Sequence, residues 1–80
     1  MQSASEFLTF VVSSLVDSKE LIEITEREDE LGTLLTLKVA KEDMGTIIGK
    51  EGKTIQAIRT VLRVYGSKAD KRVNLKIIEE

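Results

Sequence analysis

The chain contains no cysteine and no histidine. Disulfides, thiolate nucleophiles, the commonest zinc ligands and the general base whose ordinary pKa lies nearest neutrality are therefore excluded. Aromatic residues are limited to Phe7, Phe10 and Tyr65, too few for a platform of the RRM or OB type that stacks bases on rings. No apolar run approaches the roughly 18 residues of a membrane span. The most apolar piece, Phe7 to Val16, is interrupted by Thr9, Ser13 and Ser14 and has no basic residue before it. It lacks the form of a secretory leader, so a cytoplasmic protein that does not enter membranes is expected. Ser13, Ser14 and Ser67 have no candidate base nearby in sequence, and nothing calls for catalysis or a cofactor. Glu26, Glu28, Asp29 and Glu30 are interrupted by Arg27 and lack the spacing and central glycine of a calcium loop; they read as a solvated hairpin end.

What is present is the composition of a water-soluble globule, 41 % apolar and 32 % charged. A chain of 80 residues buries only about 60 to 65 % of its unfolded surface and holds one core, so a single domain over residues 1–80 is expected. So small a core, without metal or disulfide, often gains stability by association, which keeps a homodimer open. The net charge of −2 conceals a division. Residues 1–43 carry four cations against ten acids; residues 44–78 carry eight cations, Lys50 to Lys76, against Glu51 and Asp70 alone. A polyanion is drawn to the second half and repelled by the first, although an unevenly solvated surface has the same composition.

Ser3-Ala4-Ser5-Glu6 has the form of a capping box, and apolar residues at spacings of three and four predict a helix from about Ala4 to Val16, both phenylalanines in its core pattern. Leu21 to Glu26 predicts a strand, Arg27 to Gly32 a charged hairpin loop, and Thr33 to Ala40 a second strand with Leu35, Leu37 and Val39 inward. Glu42 and Asp43 suit the start of a very short helix stopped by Gly49. A longer helix runs from Lys53 to Tyr65 with Gly66 as its terminator, and Val73, Leu75 and Ile77 alternate in a last strand. The order α-β-β-α-α-β predicts an α+β domain, a three-stranded mixed sheet with three helices packed on one face. The first two strands are antiparallel, and the third, after a crossover of more than 30 residues, is parallel to the second.

The stretch Ile47-Ile48-Gly49-Lys50-Glu51-Gly52-Lys53-Thr54-Ile55 bears on function. Its Gly-Lys-Thr ending resembles a phosphate-binding nucleotide loop, but that motif needs its first glycine at position 47, where Ile47 stands, and a strand directly before it. The other reading is a glycine turn between two helices. Two residues without Cβ let a sugar-phosphate chain approach the peptide units, the amides of Lys50 to Lys53 open the next helix, and Lys50 and Lys53 add positive charge.

The pattern Ile-Ile-Gly-x-x-Gly-x-x-Ile at residues 47 to 55, followed by Ala57-Ile58-Arg59, resembles the signature of the KH domain family, and the element order is that of its type II arrangement. Glu42-Asp43-Met44-Gly45 before the loop and Lys71-Arg72-Val73 after the long helix extend the likeness to the small stand-alone bacterial KH proteins. The resemblance implies single-stranded RNA binding, about four nucleotides held between the GxxG loop and an apolar groove. Carried over by position, Gly49 and Gly52 shape the loop, Lys50 and Glu51 are its variable pair, Lys53 opens the following helix and Ile48 helps line the groove. It also implies an RNA chaperone or post-transcriptional regulator, pairing with itself or with a larger KH-containing protein. Glu51 sets a carboxylate in a loop meant to face phosphate, so weak binding of low specificity is expected.

Arg59 and Arg63, four apart, either extend this cationic stripe or simply solvate the polar arc of the long helix; Arg59 is taken with the RNA-binding residues. The apolar arc of that helix is wider than the roughly 100° one core contact needs. Ile55, Ile58, Leu62 and Tyr65 suffice for the core, and Ala57, Val61 and Val64 are left either to cover more sheet or to meet a second subunit. The alternative to an RNA binder is thus a dimerisation module with the same fold and little RNA affinity.

Overall fold

The computed structural model describes residues 3–78. Ser3 accepts the Glu6 N–H on its hydroxyl at 3.1 Å, and the Glu6 carboxylate accepts the Ser3 N–H at 3.4 Å, which is the reciprocal capping box. Helix α1, Ala4–Ser13, buries Leu8 and Val12. It ends before Val16: the Ser13 and Ser14 hydroxyls donate to the Phe10 carbonyl at 3.1 and 2.8 Å, and the Leu15 N–H turns to the Val12 carbonyl at 2.9 Å in place of that of Val11, the tighter bond of a helix end. Phe10 does not join the core as expected and is 64 % exposed. It lies two residues from both Leu8 and Val12, which places it on the opposite side of the helix.

A 3-10 turn at Lys19–Leu21 leads into β1, Glu23–Asp29, paired antiparallel with β2, Gly32–Lys38. The charged loop expected at 27–32 shrinks to Glu30 and Leu31, since Asp29 is already opposite Gly32. β1 is an edge strand, so Glu26, Arg27 and Glu28 keep their charged ends in water while the backbone pairs on one side, and those charges discourage pairing on the other. Asp29 Oδ1 closes the turn by accepting the N–H groups of Leu31 and Gly32 at 2.8 and 3.1 Å.

The crossover consists of a 3-10 turn at Lys41–Asp43, helix α2 at Met44–Ile48, a second 3-10 turn at Lys50–Gly52 and helix α3 at Lys53–Lys68. Strand β3, Val73–Ile77, then lies parallel to β2, with Leu75 opposite Leu35 and Ile77 opposite Leu37, and the sheet order is β1-β2-β3. The α-β-β-α-α-β expectation and the mixed sheet hold. Leu8, Val12, Ile47 and Leu62 from the helices meet Leu35 and Leu37 of the central strand, all at most 1 % exposed. Each such side chain contributes about 1.5–3 kcal/mol on burial. Phe7 and Tyr65 stack beside them, ring centroids 5.5 Å apart and planes within 6°.

Gly66 does not terminate α3. The helix continues to Lys68, and Asp70 takes the left-handed position, φ 57°, with its N–H on the Ser67 carbonyl and the Lys71 N–H on the Gly66 carbonyl at 2.8 Å, a Schellman closure. Gly66 is small for another reason: a Cβ there would lie 2.6 Å from Val73 Cγ2 and 2.7 Å from the Lys71 carbonyl. Ala57, Val61 and Val64 are exposed and cover no sheet. No helix among the described residues is long and apolar enough to cross a membrane.

Candidate nucleic-acid interface

The Gly49 N–H donates to the Gly45 carbonyl at 2.8 Å as the last bond of α2, and Gly49, at φ 76° and ψ 174°, then turns the chain out of the helix. Glu51 and Gly52 follow at φ 57° and 75°, both left-handed, before α3 begins. The two glycines do different work. A Cβ on Gly49 would collide with the Thr54 hydroxyl and lie 2.6 Å from Thr54 Cβ, whereas nothing stands within 4 Å of the corresponding position on Gly52. Gly49 therefore lets the loop close on its own helix, and Gly52 leaves an open backbone surface. The Gly52 N–H donates to the Gly49 carbonyl at 3.1 Å and the Lys53 N–H to that of Lys50, so half of the four amides expected to face a ligand close the turn instead.

Lys50, Glu51 and Lys53 are exposed. The ion pairs found among the described residues, Lys38 with Glu23 at 3.9 Å and Lys71 with Glu28 at 3.3 Å, lie elsewhere. Glu51 is thus paired with neither neighbouring lysine, and both keep their charge for solvent or a ligand.

Next to this turn is a cleft of about 360 Å³ lined by Ile48, Ile55, Arg59, Leu75, Lys76 and Ile77. Ile48 and Arg59 are half-buried there, while Arg63 is exposed and outside it. Arg59 is six residues beyond Lys53, about 9 Å along the helix at 1.5 Å per residue. The seven expected residues divide between two neighbouring features: Gly49, Lys50, Glu51, Gly52 and Lys53 lie in the turn and at the start of α3, and Ile48 and Arg59 line the cleft. The expected set lacked the far wall. Leu75, Lys76 and Ile77 come from β3, and alternation alone identified them only as strand residues.

That wall has a polar side. The Thr33 N–H donates to the Arg72 carbonyl at 2.7 Å and the Ile78 N–H to the Leu37 carbonyl at 2.9 Å. Even-numbered residues of β3 thus turn their peptide groups to β2, and those of Leu75 and Ile77 face the open edge beside the cleft. Another contribution not foreseen is Asp43. It is 4 % exposed, and instead of capping α2 its Oδ1 and Oδ2 accept the N–H groups of Asp17 and Ser18 at 3.2 and 3.1 Å. The segment after α1 is tied in this way to the residue from which α2 starts.

A glycine turn between two helices, set at one end of an aliphatic cleft whose far wall is an edge strand, is the architecture of the KH class in its type II order. The family model described as KhpA/KhpB, KH domain, matches residues 5–77, and the chain belongs to that family, which is not a family of enzymes. The chain is 47 % identical over 75 residues to the RNA-binding protein KhpA of Chlamydia pneumoniae, covering 94 % of this chain and 96 % of the relative. It is 45 % identical over 74 residues to that of Listeria monocytogenes, covering 92 % and 97 %. Against that of Borreliella burgdorferi it is 39 % identical over 74 residues, covering 92 % and 90 %. No solved structure matches the chain.

Proposed function

We propose that this chain binds single-stranded RNA, laying the sugar-phosphate backbone across Gly52 and about four nucleotides along the adjoining cleft. The observation that carries the reading is the open backbone at Gly52, joined along the chain through Gly49 to Ile48, which lines an aliphatic cleft together with the cations Arg59 and Lys76. Ile48, Ile55, Leu75 and Ile77 offer apolar walls to the faces of the bases, and the outward peptide groups of β3 offer donors and acceptors to their edges. Lys50, Lys53, Arg59 and Lys76 supply the charge a phosphodiester chain attracts. The similar proteins carry RNA binding in their names.

With no aromatic side chain in the cleft, base stacking contributes little, and Glu51 offsets part of the positive potential. Affinity is accordingly modest and sequence preference low, which suits an RNA chaperone or post-transcriptional regulator in the cytoplasm. The reading also makes residues 1–80 one KH domain. An NMR titration with a short mixed-sequence RNA tests it. Shifts are expected at the amides of residues 48–54 and 75–77, weakening as salt rises; no shift there at low salt overturns it.

A second activity is supported by a separate surface. Phe7, Val11, Ala57, Ile58, Val61 and neighbouring leucines line an apolar cleft of about 260 Å³ between α1 and α3; Val61 in this lining and Val64, one turn on along α3, are 47 % and 52 % exposed. Pairing with a second copy, or with a larger KH-containing protein, would cover them. Val61→Glu puts a charge in that surface and should shift sedimentation towards the monomer; an unchanged profile removes the interface.

A further inference from the structure

We infer that the helix-free face of the sheet is a second RNA-backbone surface, which takes up the strand where it leaves the cleft over the edge of β3. This rests on the proposed RNA binding and extends it. The register fixes what that face presents. Arg27 is opposite Leu34 and Leu34 opposite Asn74; Thr25 is opposite Thr36 and Thr36 opposite Lys76. Side chains alternate across a strand, so these residues share the face away from the helices, while Glu26 and Glu28 fall on the other.

The alternation thereby sorts the charge of the acid-rich half. Among the described residues of the strands two acids remain on the free face, and both are already engaged, for Glu23 lies 3.9 Å from Lys38, and Asp29 accepts the turn amides of Leu31 and Gly32. Arg72, just before β3, extends the same face past Asn74, and Arg27, Arg72 and Lys76 are all exposed. The column along β3 reads Arg72, Asn74, Lys76 and contains no acid, and Thr25 and Thr36 add hydroxyls between it and β1. Lys76 joins the two surfaces, since it both lines the cleft and stands on the free face. A polyanion held in the cleft has unlike charge on this side of β3. Thr36 is half-buried and Leu34 38 % exposed, so no element among the described residues covers the middle of the face.

The test uses the whole chain, two mixed-sequence single-stranded RNAs of about four and about twelve nucleotides, and the variant Arg27→Gln/Arg72→Gln. The short RNA should bind wild type and variant alike. The long RNA should bind the wild type more tightly than the short one and lose about fivefold or more in the variant, with the slope of log K on log salt shallower by about 0.7 for each cation removed. Amides of Thr25, Thr36 and Asn74 should shift with the long RNA alone, a readout on the wild type that needs no variant to fold. If the long RNA binds variant and wild type equally, with the same salt slope and no shifts on the sheet, the second surface is refuted and the cleft reading stands. If the short RNA binds neither, the cleft reading fails and the second surface fails with it.

Discussion

Gly49 and Thr54 are packed so closely across the turn that a methyl group on Gly49 would collide with the Thr54 hydroxyl, while three residues further on Gly52 faces open space. One glycine of the pair is needed by the packing of the turn, and the other leaves its backbone open. Gly49→Ala combines a left-handed φ with overpacking and should destabilise by about 2–4 kcal/mol. Gly52→Ala meets only the conformational term and should cost about 1–2 kcal/mol, yet weaken RNA binding more than stability. Urea denaturation and an RNA titration on both variants separate the two roles; equal stability losses would refute the distinction.

Glu51 holds φ 57° without being glycine, a conformation asparagine adopts more readily. Glu51→Asn also removes the carboxylate beside Lys50 and Lys53. Stability should hold or rise by a few tenths of a kcal/mol, while RNA affinity at low salt rises several-fold, with a steeper salt dependence. Thermal melting and anisotropy at two salt concentrations check this, and an unchanged affinity would show that the carboxylate is turned out of reach of the RNA.

Asp43 is buried with both oxygens on backbone N–H groups of residues 17 and 18. Asp43→Ala leaves two donors unpaired and should cost about 2–4 kcal/mol. Asp43→Asn keeps one acceptor oxygen and should cost about half as much. Hydrogen exchange at Asp17 and Ser18 should accelerate in the alanine variant before the strands are affected; if exchange there keeps its wild-type rate, the carboxylate is not what holds the segment.

The end of α3 gives predictions of opposite sign. Asp70→Gly relieves a left-handed residue in the Schellman position and should stabilise by about 1 kcal/mol. Gly66→Ala gains about 1 kcal/mol of helix propensity but meets Val73 at 2.6 Å and the Lys71 carbonyl at 2.7 Å, and should destabilise by about 1–3 kcal/mol net. A higher melting temperature for Gly66→Ala would show that Val73 and the Lys71 carbonyl give way to the added methyl, and a lower one for Asp70→Gly that the left-handed position does not strain Asp70.

The difference between Gly66 and Asp70 illustrates what a sequence makes legible. A glycine after an apolar helical period reads as a stop, because local propensity is all the sequence offers at that point. The contact that requires glycine is with Val73, seven residues later, and exists only once β3 has docked. The charged run 27–29 reads as loop rather than strand for a related reason: its polarity is unfavourable in a central strand but suits an edge, and strand order is a tertiary fact. Phe10 reads as core at helical spacing until Leu8 and Val12 are the residues that dock.

Local chemistry was sufficient where it needed no partner. The capping box at Ser3, the alternation of Leu35 and Leu37, and the turn at Gly49 to Gly52 each follow from spacing and backbone preference over a few residues, and together they determine the α-β-β-α-α-β order and the position of the loop. Only the tertiary structure could supply the rest. It pairs β3 with β2, so that Leu75, Lys76 and Ile77 become the far wall of the cleft, sends Glu26 and Glu28 of β1 to one face and Arg27 to the other, and gives the two glycines different neighbours. Those outcomes depend on contacts between residues far apart in the chain, which form only when the helices have covered one side of the sheet and left the other to water.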